Sequence, residues 1–284
     1  MSNVGTLFIV ATPIGNLSDI TLRALETLKE VDLIAAEDTR HSSKLLKHYN
    51  IKTPAISLHN YNETKRSQFI LQQLQQGKNI ALITDAGTPL ISDPGYYLVK
   101  TIQENGLQVI PIPGACAAIA ALSTCGLATN KFIFEGFLPA KSKQQLQRLQ
   151  ELMDKTETII FYESPHRLLM TINNMLTVFG HDRYIVIAKE LTKTFETIYG
   201  NTIFEVQNWL IEKPERQKGE FVILVKGTSK EAIINPEVLR ILELLSKNMS
   251  HKQAVALTSE ITGVNKNQLY KIFCPGPGCS DKSS

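Results

Sequence analysis

Asn79-Ile-Ala-Leu-Ile-Thr-Asp-Ala-Gly-Thr-Pro-Leu-Ile-Ser-Asp-Pro-Gly95 is an aliphatic run that breaks into a Gly/Pro-rich loop carrying two aspartates. The run from Ile80 to Ile83 is short and bounded by turn residues, the pattern of a strand buried on both faces of a parallel sheet. The loop leaves that strand at its carboxyl end, the edge where open α/β sheets bind ligands. Asp85 and Gly87 stand at its mouth. Gly87 permits close approach of backbone to a ligand, and Pro89, Pro94 and Gly95 stiffen the return to a helix beginning near Tyr96. The same residues would also make a well-built connector.

Outward from this stretch the chain repeats one unit, strand, polar loop, helix. A strand over 6–11 runs into Thr12-Pro-Ile-Gly-Asn-Leu-Ser-Asp19 and a helix with Leu22, Leu25 and Leu28 on one face. Gly15 in that loop could seat an anion on helix N–H groups, although one glycine is a weak signal. A second strand ends in Glu37 and Asp38 and leads to a helix bearing Arg40, His41 and Lys44, while a third ends in His59 and Asn60. After a helix over 96–104 come a strand over 108–112 and Pro113-Gly-Ala115, which opens a helix of small residues suited to close packing on a sheet or a flat ligand. Five such units imply parallel pairing with right-handed crossovers, an α/β domain over 1–125.

The rhythm changes beyond Lys131. Longer strands over 132–138, 158–163, 184–190, 195–199 and 220–226 alternate with helices near 143–154, 165–179 and 203–211, a mixed sheet in a second α/β domain over 126–228. Acid and base meet at two strand ends, in Tyr162-Glu-Ser-Pro-His-Arg167 and Lys189-Glu-Leu-Thr-Lys-Thr-Phe-Glu196. Rim ion pairs explain such pairs without any chemistry. Residues 229–273 read as helix, turn, helix. Between Lys247 and Phe273, Lys247, Lys252, Lys266 and Lys271 stand against Glu260 alone, a charge suited to phosphates. The Cys-Pro-Gly-Pro-Gly-Cys tail, 274–284, lacks apolar anchors and is expected to be disordered.

Composition narrows the classes. With 284 residues, 43% hydrophobic and a net charge of +3, the chain is long enough for two cores and permits a nucleic-acid partner without demanding one. The four cysteines have no ligand spacing with histidine, so no metal site and no disulfide framework is expected, and a reducing cytoplasm is the default. Neither a basic-then-apolar leader nor an apolar run of membrane-spanning length occurs.

Taken in order, Thr12-Pro-Ile-Gly-Asn-Leu-Ser-Asp, Ala36-Glu-Asp-Thr-Arg, Thr84-Asp-Ala-Gly-Thr-Pro-Leu-Ile-Ser-Asp-Pro-Gly, Pro113-Gly-Ala, Glu135-Gly-Phe-Leu-Pro, Tyr162-Glu-Ser-Pro-His-Arg, Lys189-Glu-Leu-Thr and Gly219-Glu-Phe closely resemble the tetrapyrrole methylase family, specifically its rRNA-modifying members. The resemblance implies two α/β domains of that type with the methyl donor, S-adenosylmethionine, in the cleft between them, and a small C-terminal helical module. It implies a cytoplasmic homodimer that methylates the ribose 2′-hydroxyl of cytidine 1402 in the decoding centre of 16S small-subunit rRNA, within the 30S subunit. On it, the donor would contact Gly15, Asp85, Ala86, Gly87, Thr88, Pro113, Gly114, Ala115, Glu135 and Gly136. Lys189, Glu190, Glu163 and His166 are the candidates for the base or orienting group, and Arg40, Asn60, Arg167, Lys252, Lys266 and Lys271 for RNA contacts. Where porphyrin-modifying relatives have a glycine-rich first loop this chain has Thr12-Pro-Ile-Gly15, and the tail matches no family pattern. The competing readings are a C-methyltransferase of a tetrapyrrole precursor and a non-catalytic rRNA-binding assembly factor.

Overall fold

The computed structural model describes residues 4–228, 236–264, 266, 269 and 270. These divide into two compact units, up to Lys226 and from Gly227 onward.

The first unit holds two five-stranded sheets. Strands β1 (Leu7–Val10), β2 (Leu33–Ala36), β3 (Ala55–Ser57), β4 (Ile80–Ile83) and β5 (Val109–Ile112) form an all-parallel sheet in the order β3-β2-β4-β1-β5. The central strand, β4, is buried along its whole length, as its uninterrupted aliphatic sequence requires. Ile80 and Leu82 enter one core with Leu98 and Ile102, and Ala81 and Ile83 enter the other with Val10 and Ile34. Burying each large aliphatic side chain here contributes about 1.5–3 kcal/mol. Helices α1 (Leu22–Glu30), α2 (Thr39–His48), α3 (Glu63–Gln75) and α4 (Tyr96–Glu104) are the crossovers. The expected face of α1 needs correction. Thr21 caps its N-terminus and turns Ala24, Thr27 and Leu28 inward, leaving Leu22 exposed.

The second sheet is mixed, as its sequence rhythm implies. Its strands β6 (Phe132–Phe137), β7 (Thr158–Glu163), β8 (Tyr184–Lys189), β9 (Thr197–Thr202) and β10 (Phe221–Val225) run in the order β6-β7-β10-β8-β9, and only β6 pairs in parallel. Helices α6 (Ser142–Leu152), α7 (Leu168–Phe179) and α8 (Ile203–Glu212) contribute to one core with Phe221, Ile223 and Val225. The opposite face, through Val222 and Leu224, packs on Ala118, Ala121 and Leu122 of α5 (Ala117–Thr124). The small-residue helix that follows the fifth strand therefore seats on the second sheet, where alanines allow close approach.

The second unit contains α9 (Pro236–Ser246) and α10 (His251–Thr262), joined over Val238, Leu242, Ala254 and Val255. Ser250 and Gln253 form a reciprocal capping box, and Gly263 ends α10 in the left-handed conformation at φ 73°. Among the described residues, no helix is long and apolar enough to cross a membrane. The tail over 274–284, with Cys274 and Cys279, lies outside the described residues, as does Lys271.

Candidate active site

A cavity of about 480 Å³ opens at the carboxyl edge of the first sheet and runs against the second. One wall is the loop after β4, from Thr84 to Asp93. The other is formed by Tyr162, Glu163 and Ser164 at the end of β7, Ala188 and Leu191 around β8, and Glu220, Phe221 and Val222 at the start of β10. The loop is stitched in place. Thr12 and Gly87 exchange backbone hydrogen bonds at 2.9 and 3.1 Å, the Thr12 hydroxyl donates to the Thr84 carbonyl, and the Thr88 hydroxyl donates to the Ala115 carbonyl at 3.0 Å. Gly87 takes φ 86°, and a side chain there would press on Ile14, so glycine answers a conformational demand.

Two further residues of this loop, Leu90 and Ser92, hold positive φ at 72° and 73°. Across the cavity Glu190 and Thr192 do the same at 51° and 66°. Each such residue costs about 1–3 kcal/mol, and strain of this kind concentrates at functional sites.

The charge in the cavity is one-sided. Glu37, Asp85, Asp93, Glu163 and Glu220 line it, and no lysine, arginine or histidine among the described residues does. Glu37 accepts the Thr84 hydroxyl at 2.7 Å, and Asp85 accepts the Asp38 N–H at 3.2 Å. None of the ion pairs among the described residues includes Glu37, Asp85 or Asp93. Burial pushes Asp93 up to about 6, with the charges of Glu37 and Asp85 adding to it and the Thr84 hydroxyl opposing. Burial also raises Asp85, against the pull of His41. Tyr162 faces the same space. Its ring meets Phe134 and Phe137 edge-on at 5.0 and 5.6 Å, and its oxygen accepts the Ala118 N–H at 3.1 Å. Burial, beside Cys116, holds its phenol strongly toward the protonated form.

The sequence candidates distribute unevenly around this cavity. Asp85, Ala86, Gly87 and Thr88 line it. Ala115 lies directly behind Thr88, and it is the next residues, Cys116 and Ala117, that reach the wall. Gly114 packs on Ala11, where a Cβ would fall 2.8 Å from the alanine's own, and Pro113 is likewise outside the lining. Gly136 takes φ 65° beside the irregularity in β6, and a Cβ there would lie 3.0 Å from the Ser92 hydroxyl. Glu135 turns away to a bidentate pair with Arg148 at 2.8 Å. Gly15 sits against Thr192 and Lys193 outside the lining, while its neighbour Ile14 reaches the wall.

Of the four catalytic candidates, Glu163 alone reaches the cavity. Its carboxylate is already occupied by the Thr171 hydroxyl at 2.6 Å, the Ser164 N–H at 2.8 Å and Arg167 at 3.4 Å. The network continues inward, where Gln145 donates to the Thr171 hydroxyl at 2.9 Å and accepts from Asn174. Glu190 accepts from Lys193 and from the Glu220 N–H, both at 2.9 Å. Burial works against its charge, but these partners outweigh it and hold its carboxyl below the usual range. Lys189 donates to the Glu215 carbonyl at 2.7 Å, and His166 is exposed, both away from the lining.

Among the RNA candidates, Arg167 is committed to the carbonyls of Leu138 and Pro139 and to Glu163. Arg40 is exposed but forked onto Asp38, whose carboxyl it holds well below the usual range. Asn60, Lys252 and Lys266 are exposed. Sequence reasoning missed Asp93, Glu37, Tyr162 and Cys116 as members of one site. The second aspartate of the loop motif was the available signal.

Residues 6–207 match the tetrapyrrole (corrin/porphyrin) methylases, and 232–272 match the RsmI C-terminal HTH domain. The chain is 54% identical over 271 residues to ribosomal RNA small subunit methyltransferase I of Haemophilus influenzae, covering 94% of this chain and 96% of that protein. It is 51% identical to the protein of the same name from Pseudomonas aeruginosa, with 95% and 96% covered. In fold it is similar to the cobalt precorrin-4 methyltransferase CbiF, at TM-score 0.56 and 16% identity, covering 78% of this chain and 94% of that one. Diphthine synthase is similar at TM-score 0.58 and 12% identity, with 78% and 90% covered. The chain belongs to the tetrapyrrole methylase family, in the group of the proteins named ribosomal RNA small subunit methyltransferase I.

Proposed function

We propose that this protein is an S-adenosylmethionine-dependent methyltransferase of small-subunit rRNA, with the cavity between the loop after β4 and the second sheet as its donor and reaction site. The observation that carries the reading is the cavity's charge: Glu37, Asp85 and Asp93 enter no ion pair among the described residues, and no basic side chain among those residues lines the cavity, around small residues such as Ala86, Gly87, Ala117 and Ala188. That lining suits a donor bearing a sulfonium and an ammonium group, and small residues leave room for its adenosyl portion. The relatives' shared name supports rRNA of the small subunit as acceptor.

The donor supplies an electrophilic methyl group. The chain's residues must align an acceptor oxygen with it, take that oxygen's proton and exclude water. Asp85 anchors polar groups of the donor, and Gly87 lets backbone approach it. Asp93, poised near the working pH and in no ion pair among the described residues, is the group we assign as base for the acceptor hydroxyl. Tyr162, kept protonated, orients by donating a hydrogen bond. Glu163, held by Thr171 and Ser164, fixes the strand end on which Tyr162 stands.

In its finer form the reading is methylation of the ribose 2′-hydroxyl of cytidine 1402 in 16S rRNA. The acceptor would be the assembled 30S subunit and the enzyme a cytoplasmic homodimer. The test is incubation with isotopically labelled donor and either small subunits or free 16S rRNA, followed by nucleoside mass spectrometry. Label on the ribose of that cytidine is the expected result. Binding of rRNA without turnover would make the protein an assembly factor, and label on a base would move the chemistry off the ribose.

A further inference from the structure

Three tyrosines, Tyr61, Tyr96 and Tyr97, flank one hydrogen-bonded cap in sequence. The Glu63 carboxylate, at the start of α3, accepts the N–H groups of Gly95, Tyr97 and Leu98 at 3.1, 2.8 and 3.2 Å, and so fastens the N-terminus of α4 to that of α3. Tyr61, two residues before Glu63, is 98% exposed, and Tyr96 is 70% exposed. Tyr97 is also on the surface. Tyr61 and Tyr96 leave most of their rings in solvent, yet the backbone that carries them is held. The Asn62 side chain accepts the His59 N–H at 2.9 Å, and the His59 and Tyr61 rings lie edge to face at 6.1 Å. Along the chain the segment leads out of the active site, since Asp93 of the cavity lining stands three residues before Tyr96. Exposed Lys65 and half-buried Arg66 follow on α3, and neither enters an ion pair among the described residues.

We infer that Tyr61 and Tyr96 form a stacking platform for unpaired bases of the RNA strand beside the target nucleotide, with Lys65 and Arg66 receiving its phosphates. Bases offer π-faces that stack on tyrosine whatever their sequence, and RNA is read mainly where its bases are unpaired. The cavity's carboxylates repel phosphate, so a strand entering it needs its cations outside the lining, and Lys65 and Arg66 follow Glu63 on α3. This inference rests on the function proposed above.

The test uses the full chain, small subunits, and a single-stranded oligoribonucleotide spanning the target cytidine. Tyr61→Ala and Tyr96→Ala are each expected to weaken oligonucleotide binding about tenfold in fluorescence anisotropy, with the salt dependence unchanged, and Tyr→Phe to restore it. Lys65→Ala with Arg66→Ala should instead flatten the salt dependence. Donor affinity by calorimetry should stay at wild type in all of them. A Tyr61→Ala/Tyr96→Ala double variant that binds RNA within twofold of wild type and methylates subunits with unchanged KM would overturn the platform while leaving the function standing. Wild-type protein that transfers no methyl group to any RNA would overturn both.

Discussion

The carboxyl edges of the two sheets present acids in opposite states. In the mixed sheet the carboxylates at the edge are answered: Glu163 has Thr171, Ser164 and Arg167, and Glu190 has Lys193 and the Glu220 N–H. In the parallel sheet, Glu37, Asp85 and Asp93 share a cavity with no cation among the described residues, and burial raises both aspartates. Satisfied acids stabilise, whereas acids left without charge partners cost stability and persist where something else needs them. The contrast assigns scaffold to the acids at the edge of the mixed sheet and chemistry to those of the parallel one. In sequence the mixed sheet's edge has the more catalytic pattern, because acid and base stand side by side there. Adjacent opposite charges mostly neutralise each other.

The largest expected effect that would break this contrast is on turnover. Asp93→Asn should lower the single-turnover rate about 100-fold or more, the scale of a lost general base, with donor affinity by calorimetry within a few fold of wild type. Glu190→Gln, made in parallel, should cost far less. The reverse ranking would exchange the roles of the two edges.

Donor binding comes next. Asp85→Asn and Gly87→Val should each weaken S-adenosylmethionine binding about tenfold, the first by removing a charged acceptor and the second by filling the space beside Ile14 at φ 86°. Wild-type affinity in both folded variants would move the donor elsewhere.

Stability sharpens the comparison with smaller numbers and opposite signs. Thr171→Val removes a donor from Glu163 and an acceptor from Gln145 and should destabilise by about 1–3 kcal/mol in urea unfolding. Asp93→Asn should stabilise. A carboxyl raised to about 6 from 3.8 favours folding while protonated, and that contribution is lost as pH rises through the folded value. The Asn variant should therefore gain on wild type by about 1 kcal/mol above pH 7, after allowing for solvent screening, and gain nothing near pH 4. A gain independent of pH would show that Asp93 titrates normally.

Much of this fold was legible because local rules and global packing agree. The run Ile80–Ile83 has turn residues on both sides and became the central strand with those bounds, and Pro94-Gly95 and Pro236 placed the starts of α4 and α9. The face of α1 was misread because spacing by threes cannot say where the N-cap sets the phase, and Thr21 set it to Ala24 and Leu28. The site was legible only in part. Asp85 and Gly87 announced themselves in the loop motif. Asp93 stands in the same motif, but its place in the cavity follows positive φ at Leu90 and Ser92, which neither residue type signals. Tyr162, Cys116 and Glu37 come from three separate segments, and only the packing of α5 on the mixed sheet brings them into one cavity. Arg167 and Lys189 have the residue types for RNA contact or catalysis, but backbone carbonyls claim both.

The most direct test of the central claim is the pH dependence of kcat/KM for the methyl donor, which reports ionisation in the donor-free enzyme. The account requires a rise of about tenfold per pH unit below a bend near 6, set by Asp93, a plateau above it, and no such bend in the residual activity of Asp93→Asn. A wild-type profile that is flat between pH 5 and 8, or a bend that survives in Asp93→Asn, would contradict it.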